Sequence, residues 1–323
     1  MQAQGSSKGR FFPIRLTSLR LNTIIGFDLY LQPEPGHPPV LYREKSLPFC
    51  EAESNRLRDN QVAQLFVRSD QESAYYPYIE ANLRAILTDP GIDVEEKTQV
   101  LYSSAMHLAK DALEEPLAAT LLPRTKAMVE NTVWCIFNQE QALLSLLKVT
   151  SYDYYTYTHS VNVLVFTIAL AKRLGYPDQA VNAFGSGSLL HDIGKSMIDP
   201  SILNCPGQLT KEQWEVMKMH PVYGCNILQK QGVRDKLMLD VTRHHHENLA
   251  GDGYPDRLTA EQIPQFIRIS TISDVFDALT TRRPYKDALS SFEALKLMKE
   301  EMEEDLDQEL FQAFVEMMGA PGE

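Results

Sequence analysis

The chain has 323 residues, a formal net charge of −12, 44% hydrophobic and 23% charged residues. That balance excludes disorder as the main state and fits a soluble globular protein long enough for two domains and a sizeable core. The acidic balance argues against polymeric nucleic acid as a partner, since coating DNA or RNA requires many phosphates to be neutralised. A small phosphorylated ligand stays open, because a bound metal reverses the local field.

Cys50, Cys135, Cys205 and Cys225 show no CxxC spacing and read as free thiols of a reducing compartment. Residues 1–10 are polar, and Arg15, Arg20 and Asp28 interrupt the apolar pieces that follow. No export signal is expected. No run of about 18 apolar residues occurs, so the expectation is no membrane span and a cytoplasmic location.

Residues 11–88 read as β-rich. Phe27, Leu29 and Leu31 alternate with Asp28 and Tyr30, the period of a half-buried strand. Turn formers Pro33, Pro35, Gly36, Pro38 and Pro39 follow, then short strands at residues 40–42 and 65–67. A small β or α+β module is expected over 1–110. Its role is regulatory or sensory, with packing or homodimerisation as the plain alternative.

Residues 94–113 have helix-forming composition, and Pro116 and Pro123 are expected to break the pattern. Helical spacing resumes at 124–149, giving a helical connection over 111–148. From residue 149 to the end almost everything reads as helix. An apolar stretch at 161–174, opened by His159, stops at Gly175 with Pro177 behind it. Thr210 and Gln213 fit a capping box, which predicts a helix carrying Met217 and His220. Residues 267–279 are apolar at helical spacing with Asp274 and Asp277 set among them.

Six of the eight histidines fall between His159 and His246. Taken in order, the metal-type residues are His159, His191, Asp192, His220, His245, His246 and Asp274. An imidazole and carboxylate set without thiolate suits iron, manganese, zinc or nickel, and does not suit calcium or a structural zinc cage. The residues are too many for one four-coordinate ion and about right for two, with Asp192 as a bridge. A single histidine on an apolar helix is more often a hydrogen-bonded core residue. The flanks carry the argument here: a lysine, Lys195, three residues after Asp192, and a turn-rich loop from Gly251 to Pro255 after the histidine pair.

These segments resemble the HD-GYP subgroup of the HD metal-dependent phosphohydrolases over about residues 150–315. The matching pieces are Tyr155-Thr156-Tyr157-Thr158-His159-Ser160, His191-Asp192-Ile193-Gly194-Lys195, Lys218-Met219-His220-Pro221, His245-His246-Glu247, Gly253-Tyr254-Pro255, Asp274 and Thr281-Arg282-Arg283-Pro284-Tyr285-Lys286. The resemblance implies an all-α catalytic domain over 149–323 that holds a multinuclear centre, usually of iron or manganese, and hydrolyses cyclic di-GMP. It implies His159, His191, Asp192, His220, His245, His246 and Asp274 as ligands. Lys195 is then the catalytic cation, Asp192 a bridging catalytic carboxylate, and Arg283 and Lys286 the holders of substrate phosphates. Gly253, Tyr254 and Pro255 shape the pocket edge or a surface for diguanylate cyclase (GGDEF) domains.

Three departures from the pattern matter. Members with a third metal place a Glu where Tyr155 stands, which favours a binuclear centre. Ala250 and Asp252 depart from the loop before the Gly-Tyr-Pro segment. His244 makes a triple-histidine run and is assigned to the surface or to support of a ligand. The expected activity is cleavage of cyclic di-GMP to linear pGpG, with GMP as the product of further cleavage. The alternatives are an HD phosphohydrolase for another nucleotide and a catalytically silent cyclic di-GMP receptor. Two metals would lower the pKa of a bound water toward about 7 and supply hydroxide.

Overall fold

The computed structural model describes residues 10–319 apart from 35, 151–155, 206 and 283–286. The chain divides into two compact units, Met1–Val100 and Leu101–Glu323.

The first unit contains β1 (Phe11–Arg15), β2 (Thr23–Ile24), β3 (Leu29–Leu31), β4 (Val40–Arg43), β5 (Pro48–Phe49), α1 (Glu51–Asp59), β6 (Gln64–Arg68) and α2 (Glu72–Thr88). Four strands form an antiparallel sheet in the order β1-β6-β3-β4, and β2 pairs with β5. The α+β expectation holds, but the β-rich reading fails at residues 72–88. Tyr75, Ile79, Leu83, Ile86 and Leu87 are buried at helical spacing, and Pro77 is accommodated inside the helix. Phe27 lies in a bend before β3 and is fully buried.

The second unit is helical. The division falls within α3 (Val94–Glu114), and α4 (Leu121–Asn138), α5 (Ala142–Val149), α6 (Thr156–Arg173) and α7 (Asp178–Leu189) follow. Next come α8 (Pro200–Leu203), α9 (Lys211–Met217), α10 (His220–Lys230) and α11 (Lys236–His244). The series closes with α12 (Gln265–Thr280), α13 (Ser291–Glu301) and α14 (Gln308–Gly319). Pro123 does not break the chain. It sits in the first turn of α4, where a missing N–H costs nothing.

Every residue of α6 from Thr158 through Ala171 is buried, which makes it the central helix. It ends as its sequence requires. Gly175 takes φ +74°, its N–H donates to Lys172 O, and the Tyr176 N–H donates to Ala171 O. Phe166 packs edge-on to Phe276 of α12 and Phe314 of α14, at centroid distances of 5.2 and 6.0 Å. This apolar cluster ties α6, α12, α13 and α14 together and sets His159 beside Asp274. Among the described residues, no helix is long and apolar enough to cross a membrane.

Candidate metal centre

Three histidines reach the centre in the same way. His191 Nδ1 lies 2.7 Å from Ser188 O, His220 Nδ1 2.8 Å from Met217 O, and His245 Nδ1 3.0 Å from Thr242 O. In each case the acceptor is the carbonyl three residues earlier. A carbonyl only accepts, so Nδ1 carries the proton and Nε2 is left with a bare lone pair. His159 is oriented by a carboxylate instead, with Nδ1 2.7 Å from Asp277 Oδ2. Orientation through the second ring nitrogen is the usual arrangement of a metal-ligating histidine.

The Nε2 atoms then meet in pairs. His159 faces His191 at 3.2 Å, and His220 faces His245 at 3.2 Å. Two lone pairs at that distance repel unless a positive charge, a proton or a metal ion, lies between them. Asp192 faces both pairs. Its Oδ2 is 3.4 Å from His191 Nε2 and 3.8 Å from His159 Nε2, while its Oδ1 is 3.2 Å from His220 Nε2. In this tautomer His220 has no proton to offer, and Oδ1 is buried without a hydrogen bond among the described residues. Asp274 completes the ring of donors, with Oδ1 2.9 Å from His159 Nε2 and Oδ2 3.5 Å from His246 Nδ1. Two groups able to hold a metal result: His159, His191 and Asp192, and His220, His245 and His246. The donor set fits divalent metal binding.

Electrostatics point the same way. Burial opposes the charge of Asp192, yet Lys195 and His191 hold its carboxyl well below the usual carboxylate range. Burial likewise opposes ionisation of Asp274, but the hydrogen bond from His159 together with the neighbouring imidazoles holds its carboxyl well below the usual range. Burial disfavours a charged His159, but Asp274 and Asp277 push it up to about 10. The carboxylates thus impose a positive charge at this point. Burial drives His246 down to about 3 and His245 well below its ordinary value, so both are neutral at pH 7, as a ligand must be.

Local backbone explains how α10 comes so close. A Cβ on Gly194 would lie 1.9 Å from His220 O and 2.5 Å from Gly224 N, so only glycine lets the turn after Asp192 pack on α10. The predicted capping box at Thr210 is present, but α9 stops at Met217 and His220 opens the next helix. A helix carrying both Met217 and His220 is therefore wrong. The break at residues 218–219 turns the imidazole inward.

The donors form the floor of a cavity of about 700 Å³ lined by His159, Asp192, His220, His246, Asp274 and Lys195. His191 and His245 are fully buried and are not among the lining residues. Lys195 Nζ is 2.5 Å from Asp192 Oδ2. Tyr254 lines the cavity, whereas Gly253 is buried against His246 and Asn248 backbone and Pro255 is not part of the lining. Arg283, Lys286 and Tyr155 lie outside the described residues. His244 stands apart from the centre, with Nε2 2.9 Å from Asp256 Oδ2. Cys225 is buried, and Cys205 is partly exposed at the cavity wall.

The roles of three residues were not read from the sequence. Asp277 orients His159 and was visible only as a second aspartate three positions after Asp274. Glu247 is buried and accepts from the N–H groups of Asp256, Arg257 and Leu258 at 2.7–3.1 Å, pinning the loop that carries Tyr254. Trp214 lines the cavity from α9.

Comparison with known proteins decides the family: the HD domain matches residues 139–310. The chain belongs to the HD domain family. The resemblance read from its motifs therefore stands. A cyclic di-GMP phosphodiesterase of Pseudomonas aeruginosa, PA4108, is 35% identical over 71% of this HD chain and 63% of its own length. A 3'3'-cGAMP-specific phosphodiesterase 3 of Vibrio cholerae is 36% identical over 49% of the HD chain and 34% of its own length. This HD chain thus spans less than two thirds of either relative. Its fold is shared with Bd1817, a HDG"Y"P protein from Bdellovibrio bacteriovorus, at a TM-score of 0.67 and 21% identity over 96% of this chain and 100% of that one.

Proposed function

We propose that this chain is a metal-dependent phosphodiesterase that hydrolyses cyclic di-GMP to linear pGpG, with GMP as the product of further cleavage. The observation that carries the reading is the placement of Asp192. It faces two imidazole pairs at once and lies on the floor of a cavity large enough for a nucleotide. In this reading His159, His191, Asp192, His220, His245, His246 and Asp274 would hold two metals, in the two donor groups that Asp192 faces. Bound there, two divalent ions, iron or manganese, would supply hydroxide at neutral pH and neutralise charge on the phosphoryl oxygens.

The chain's own groups do the rest. The i−3 carbonyls orient His191, His220 and His245, and Asp277 orients His159, each with Nε2 toward the centre. Lys195, held by Asp192, presents its ammonium to the scissile phosphate and stabilises the charge that develops on the leaving 3′-oxygen. The first unit serves as a regulatory or sensory module, and the cytoplasm is the working compartment. Similarity to both named phosphodiesterases supports the reaction class, and the longer match to the Pseudomonas protein supports cyclic di-GMP as substrate.

The test is hydrolysis of cyclic di-GMP by the full chain loaded anaerobically with iron or manganese. His191→Ala and Asp192→Ala should abolish turnover, and full activity in either would sink the ligand assignment. Preference for 3'3'-cGAMP in a substrate panel would replace the substrate and keep the reaction.

A further inference from the structure

Trp214 is 45% exposed, an unusual position for so large an aromatic side chain, and it borders the cavity rather than open surface alone. Its ring meets Tyr254 edge to face, with centroids 6.1 Å apart and planes at 78°. Tyr254 in turn lies over His246, with centroids 4.7 Å apart and planes at 31°. The two rings make an aromatic corner next to the donor floor.

The backbone under Trp214 is fixed. Gln213 Oε1 accepts from the Thr210 N–H at 2.9 Å, and Thr210 Oγ1 accepts from the Gln213 N–H at 3.2 Å. The Trp214 N–H then donates to Thr210 O at 2.8 Å. Leu209 and Met217 line the same cavity. An exposed, pre-positioned indole loses little entropy on taking a ligand. A partner that stacks here offers a flat π face, and one that also reaches the floor carries a phosphate. A nucleotide has both.

We propose that Trp214 is the platform on which a purine base of the substrate stacks, with Tyr254 closing the corner and the phosphodiester reaching the floor at Asp192 and Lys195. The inference rests on the nucleotide phosphodiesterase reading and does not depend on which cyclic dinucleotide is cleaved. Every base has a π face, so this contact separates nucleotides from base-free phosphates and does not choose between guanine and adenine. The base is remote from the reacting phosphorus. Its stacking is therefore equal in ground state and transition state and shows in KM, not kcat.

The experiment uses the metal-loaded full chain as wild type, Trp214→Ala and Trp214→Phe. With cyclic di-GMP, Trp214→Ala should raise KM roughly tenfold, in line with the worth of one base–aromatic stack, while kcat stays within about threefold. Trp214→Phe should recover most of the loss. In parallel, tryptophan fluorescence is titrated with GMP, cyclic di-GMP and ribose 5-phosphate. GMP and cyclic di-GMP should quench the wild type, ribose 5-phosphate should not, and the quench should vanish in Trp214→Phe. An unchanged KM in Trp214→Ala overturns the proposal, as does a quench that survives Trp214→Phe. If the wild type fails to cleave cyclic di-GMP, the functional reading falls. The contrast between GMP and ribose 5-phosphate then still decides the platform, and loss of that contrast removes it.

Discussion

Asp277 Oδ2 lies 2.7 Å from His159 Nδ1, and its other oxygen accepts from Asn162 Nδ2 at 2.7 Å. Asn162 Oδ1 in turn accepts from Tyr102 Oη at 2.7 Å. A buried chain of three side chains thus sets the direction in which His159 points. Asp277→Asn keeps the shape but removes the charge that orients the imidazole. Metal affinity should fall about 10- to 100-fold, measured by competition with a chromogenic chelator. Affinity equal to wild type would show that the imidazole is held without Asp277.

Lys195→Ala should leave metal content unchanged and lower kcat by about 10²- to 10³-fold, the usual loss on removing one donor to developing negative charge. Metal analysis and steady-state kinetics on the same sample separate the two effects. A loss of metal instead would recast Lys195 as support for Asp192.

Gly194→Ala places a methyl group 1.9 Å from His220 O, a backbone atom that cannot swing away. The turn after Asp192 must retreat from α10, at a cost of about 1–3 kcal/mol or more by analogy with overpacked cores. Thermal melts should show a lower midpoint and weaker metal binding. Gly207→Ala is the control, since nothing lies within 4 Å of its Cβ.

Glu247→Ala leaves three N–H groups of the loop 256–258 without their carboxylate. At least about 2 kcal/mol of stability should be lost, and Glu247→Gln, which keeps one acceptor, should lose less. Because Tyr254 rides on the same loop, KM for the substrate should also rise. Denaturant titration and steady-state kinetics check the two claims.

The donor set was legible in the sequence because residue type is itself the chemistry: so dense a run of imidazoles and carboxylates between His159 and Asp274 is what a metal centre requires. The supports were not legible. Ser188, Met217 and Thr242 act through backbone carbonyls, which any residue would supply, so no side chain marks them. Asp277 resembled an ordinary polar residue on a buried helix. Residues 72–88 read as part of a β-rich stretch because Tyr75, Tyr76, Tyr78 and Pro77 carry strand and turn propensities. Burial of Ile79, Leu83, Ile86 and Leu87 along one face overrides them. The helix break before His220 did have a sequence signal that the reading passed over: Pro221, in the first turn of α10, has no N–H with which to continue α9.

The most direct measurement is the metal content of the anaerobically loaded full chain, read together with cyclic di-GMP turnover on the same sample. Two iron or manganese ions per chain with pGpG as product is the result expected from two imidazole groups sharing Asp192. Fewer than one ion per chain, with tight cyclic di-GMP binding and no turnover, would contradict it and make the domain a receptor.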